Sequence, residues 1–123
     1  MELKSFLILA TIVAAFFGVA LLVVPSQLLA IYGVALTPAS EVIGRIAGST
    51  ILAFAVVFWG IRNQSGADAL KAVMVAGFIG NGLDCLILLH ATATGLSNAY
   101  GWGQAAINGL LALGFAYFTF GKR

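Results

Sequence analysis

The fold is decided by Ser5-Phe6-Leu7-Ile8-Leu9-Ala10-Thr11-Ile12-Val13-Ala14-Ala15-Phe16-Phe17-Gly18-Val19-Ala20-Leu21-Leu22-Val23-Val24. This run carries no charge, and only Ser5 and Thr11 bring a polar side chain. A bilayer core of about 30 Å needs roughly 20 apolar residues of helix, and the run has that length. Pro25 ends it, because proline lacks the N–H that the next helical turn requires. A secretory signal has a shorter apolar region, about 7–15 residues, followed by a small-x-small cleavage site. Neither is present, so the segment reads as a retained membrane helix.

Working outward, three more segments have the same character. Val42–Ile61 holds one charge, Arg45, and stops before Arg62-Asn63-Gln64. Ala72–His90 holds one charge, Asp84, and is the most polar of the set. Ala99–Phe120 holds none and runs into Gly121-Lys122-Arg123. The expectation is an all-α, four-transmembrane-helix bundle, a single membrane domain over 1–123 with spans near 5–24, 42–61, 72–90 and 99–120. Composition agrees: 62% of the 123 residues are apolar and 8% charged, with a mean hydropathy of +1.09. An ordinary soluble domain has roughly 45–50% and 25%. So few charges could not clothe a soluble globule of this size. A soluble enzyme, a nucleic-acid-binding module and a disordered tail are thereby excluded, and the lipid bilayer becomes the first expected partner.

The cations set the orientation. Lys4 precedes the first span, Arg62 and Lys71 flank the second connection, and Lys122 and Arg123 follow the fourth span. With four spans all of these share one side, and the opposite connections, Pro25–Ser40 and Ala91–Asn98, have no Lys or Arg. By the positive-inside rule both termini are expected in the cytoplasm, and a bacterial inner membrane is the expected location. Within Pro25–Ser40, Ser26–Tyr32 followed by Gly33 reads as a short interfacial helix with a glycine stop. Thr37-Pro38 restarts a helix, with Thr as N-cap and Pro in the first turn. Asn63–Asp68 reads as a polar turn, with Asp68 placed to cap the third span.

Fifteen glycines point to close helix packing, since packing rather than water drives association in lipid. Gly44-x-x-x-Gly48 is a small-xxx-small pair, as are Ala14/Gly18, Ala76/Gly80 and Ala105/Gly109. Gly77 joins Gly44, Gly48, Gly80 and Gly109 as a candidate packing position. The plain reading of these pairs is a bundle packed within one chain; contact between chains is the other.

The polar residues fall on helical stripes. Glu41, Arg45, Gly48 and Leu52 share one face of the second span. Gly77, Asn81, Asp84 and Leu88 do so in the third, and Gln104, Asn108, Leu111 and Phe115 in the fourth. By helical rise, Arg45 lies ~6 Å below Glu41 and Asp84 ~20 Å from Lys71, which puts the polar groups in the outer half. The expectation is an Arg45–Asp84 ion pair flanked by Asn81, Gln104 and Asn108, with Glu41 sharing the arginine. Such a cluster serves either as interhelical glue or as a pocket for a small ligand, a lipid headgroup or a partner side chain. A third reading has Arg45 snorkelling to the outer headgroups.

Other chemistry is thin. His90 sits at the end of its span, Cys85 stands alone, and no nucleophile–base pair or metal-spaced ligand set occurs in the sequence. No cofactor is expected, although a quinone or pigment between chains would need only apolar walls and a hydrogen bond or two. Small multidrug resistance exporters share the length and span number, but they carry an acid in mid-first-span, and Ser5–Val24 has none. The sequence therefore favours a non-enzymatic membrane protein that packs, assembles (as a homo-oligomer or a subunit of a larger complex) or binds a small ligand. The alternative is a small transporter or channel using Asp84 and Arg45.

Overall fold

The computed structural model describes residues 2–63 and 68–121, and among them every regular element is helical. The expected turn residues 64–67, and the basic pair Lys122 and Arg123, lie outside the described residues. Two helical units divide the chain, Met1–Arg62 and Asn63–Arg123, and each is described by itself.

The first unit is built from α1 (Leu3–Val23), α2 (Pro25–Ile31) and α3 (Pro38–Ile61). The last N–H in register at the end of α1 is that of Val24, which donates to Ala20 O at 2.8 Å. Pro25 follows with no donor to offer and opens α2 at a position where none is needed. Gly33, at φ 73°, ends the short helix: its N–H donates to Ala30 O and that of Val34 reaches back to Leu29 O. Thr37 starts α3 through a reciprocal cap, its Oγ1 accepting from Ser40 N at 3.0 Å and its N–H donating to Ser40 Oγ at 2.9 Å. The helix thus begins four residues before the apolar run at Val42, because capping chemistry, not hydropathy, fixes where the hydrogen-bonded turns begin.

α1 and α3 pack through small residues. On α3 the buried positions are Gly44, Gly48, Ala55 and Phe58, a helical seam; on α1 they are Phe6, Leu7, Ala10 and Gly18. At the tightest point backbone meets backbone. A Cβ on Gly48 would stand 2.8 Å from Gly18 O and 2.9 Å from Leu22 N, and one on Gly18 would stand 2.8 Å from Leu52 N. Only glycine lets the two helices come this close.

The second unit holds α4 (Asp68–Ala93) and α5 (Tyr100–Ala116), which runs on into a π-helical turn over Tyr117–Gly121. Leu70, Met74 and Gly77 of α4 are buried, as are Ala105, Ala112 and Phe115 of α5, with Phe115 at 0% exposure. Gly77 makes room for that ring: a Cβ there would meet Phe115 Cε1 at 2.6 Å. At the connection between these helices, Gly101 lies against the Thr92 and Ser97 hydroxyls. The π turn sets Phe120 edge-on to Phe78, with ring centroids 5.9 Å apart.

Three helices, α1, α3 and α4, are long and apolar enough to cross a membrane, at 21, 24 and 26 residues, which marks a multi-pass membrane chain. α5 is shorter, 17 residues before the π turn. All four expected spans coincide with helices, although their ends shift. α1 starts two residues early, α4 extends past its span at both ends, and the α-helical part of α5 stops at Ala116.

Candidate functional site

The polar residues of α3 meet the break between α1 and α2. The last carbonyls of α1 run short of helical donors because Val24, at φ −130° and ψ 57°, leaves the helical backbone. Arg45 supplies one: its Nη1 donates to Leu22 O at 2.8 Å. One turn earlier on α3, Glu41 Oε1 accepts from the Ser26 hydroxyl at 2.6 Å, in the first turn of α2. The signs suit the helix ends, a cation at a C-terminus and an anion near an N-terminus. Gly44 lies between these two residues and leaves room for Pro25 and Leu29, whose side chains would stand 3.6 and 3.5 Å from a Cβ there. Glu41, Gly44 and Arg45 therefore form one clamp on the α1–α2 junction. At the C-terminal end of α2, burial pushes the Tyr32 phenol above its ordinary value of 10.0.

Within the first unit, the α3 face that meets α1 lies about one residue round from the Glu41–Arg45 stripe. The stripe is Glu41, Arg45, Gly48 and Leu52, and the seam buried in this unit runs through Gly44, Gly48, Ala55 and Phe58. Arg45 lies at the edge of that seam, exposed, and reaches the Leu22 carbonyl from there. The close approach of Gly18 and Gly48 sets this rotation, since the smallest residues must occupy the line of contact.

In the second unit Asn81 turns back on its own helix, its Nδ2 donating to Gly77 O at 2.8 Å. Asn108 and Gln104 are half-buried on α5. Gly109 faces Cys85, whose Sγ would stand 3.2 Å from a Cβ there. Asp84, one position before Cys85, is exposed in its unit. Gly80, one turn before Asp84, has open space where a Cβ would go. Arg45 and Asp84 belong to different units, and what the structure describes is the surroundings of each within its own.

Sequence reasoning missed the partners Leu22 and Ser26. Pro25 was the available signal: a proline closing an apolar helix leaves main-chain acceptors bare, and the nearest cation on the next helix can fill them. Among the described residues no group of three or more His, Cys, Asp or Glu is placed to hold a metal ion. Compared with known protein families, curated proteins and solved structures, the chain matches none.

Proposed function

We propose that this protein works by packing in the membrane, as a homo-oligomer or as an accessory subunit of a larger membrane complex, with no catalysis of its own. One observation carries the reading: Asp84 is a carboxylate on a membrane-length helix, exposed in its unit and next to the open Gly80. A charge left in hydrocarbon costs roughly 2.5–3.5 kcal/mol on insertion scales, so such a residue seeks a polar partner. Ala72, Ala76, Gly80 and Asp84 follow one another at helical spacing, and all are exposed in the unit. Small residues at this spacing let another helix approach closely.

In this reading the chain has four spans, with α5 and its π turn as the fourth, and both termini in the cytoplasm of a bacterial inner membrane. Lys4, Arg62, Lys71, Lys122 and Arg123 support that orientation. The test is the mass of the purified protein in lipid nanodiscs. Particles containing several 12.7 kDa chains, or one chain with a co-purifying protein, are expected, and Asp84→Leu should shift the distribution toward single chains. A wild type that runs as single chains alone would overturn the proposal. Mass analysis of small molecules that co-elute tests whether a lipid or other ligand occupies the same face.

The exposed carboxylate also favours a second reading, a small transporter or channel that uses Asp84 and Arg45. Proton-coupled flux in vesicles, lost in Asp84→Asn while the protein stays folded, would support it. An unaltered flux would remove Asp84 from that role.

A further inference from the structure

We draw no further inference here: the strongest candidate, the α4 face of Ala72, Ala76, Gly80 and Asp84, already carries the proposed function, and nothing in the structure shows which occupant covers it.

Discussion

Arg45 caps Leu22: the guanidinium of the third helix donates to a carbonyl left bare at the end of the first, with Nη1 and O 2.8 Å apart. The contact gives the intramembrane cation a main-chain partner inside its own unit, at the point where the backbone leaves the helix at Val24. Replacing Arg45 by Ala should lower stability by about 0.6–1.7 kcal/mol, from the average to the largest coupling measured for polar contacts between membrane helices. Arg45→Lys should recover part of the loss, because an ammonium can still donate to the carbonyl. Thermal melts in detergent check this, and an Arg45→Ala protein as stable as wild type would remove the cap from the account.

The glycines of α3 should respond unequally. Gly48→Ala must push α1 and α3 apart, since its Cβ would stand 2.8 Å from Gly18 O. Overpacking of this kind costs about 1–3 kcal/mol. Gly44→Ala has neighbours only at 3.5 Å and beyond and should be tolerated. Gly60→Ala meets nothing and should be neutral, or stabilising by up to about 1 kcal/mol through helix propensity. Equal melting temperatures for the three variants would contradict the seam.

Gly77 and Phe115 should couple. Gly77→Ala alone collides with a ring that has no exposed surface. Phe115→Leu alone leaves a cavity, costing on the order of 1–3 kcal/mol by the transfer and cavity terms for lost core atoms. Together the two changes relieve each other, so the double variant should be more stable than the sum of the singles predicts. A double-mutant cycle that closes on additivity would place the ring elsewhere.

Gly80 separates folding from assembly. Its Cβ position is open, so Gly80→Ile should leave the melting of the protein close to wild type while blocking helix approach on the α4 face. The expected result is loss of self-association or of the co-purifying subunit. An unchanged particle mass for Gly80→Ile would move the assembly surface off this face.

Tyr32 should titrate late. Burial favours its neutral phenol, so the folded-state value lies above 10.0. The neutral ring's contribution to stability is then present below the unfolded value and lost as pH rises through the folded one. The difference in phenolate absorbance between wild type and Tyr32→Phe should have its midpoint above 10.0. A midpoint at or below that value would mean the ring is solvated.

Much of this was legible residue by residue. The uncharged run to Val24 could only be a helix in lipid, and Thr37-Pro38 and Gly33 announced a start and a stop because their caps are local chemistry. The glycine pairs pointed to close packing for the same kind of reason: a missing side chain matters wherever a neighbour arrives. Arg45 was harder. Its charge was plain, but a main-chain carbonyl acceptor leaves no mark in a sequence. Its visibility depended on seeing that a helix ending before Pro25 leaves its last carbonyls in need of donors.

The linear chain, then, dictated helix content, the breaks at Pro25, Gly33 and Thr37, and the scarcity of chemistry, since hydropathy, capping and proline act over a few residues. Tertiary structure alone decided which side of each helix faces its neighbour. Hydropathy barely distinguishes the faces of a helix that is apolar all round. The choice falls to shape, to the few ångströms by which Gly18 and Gly48 admit a backbone where any side chain would hold it off.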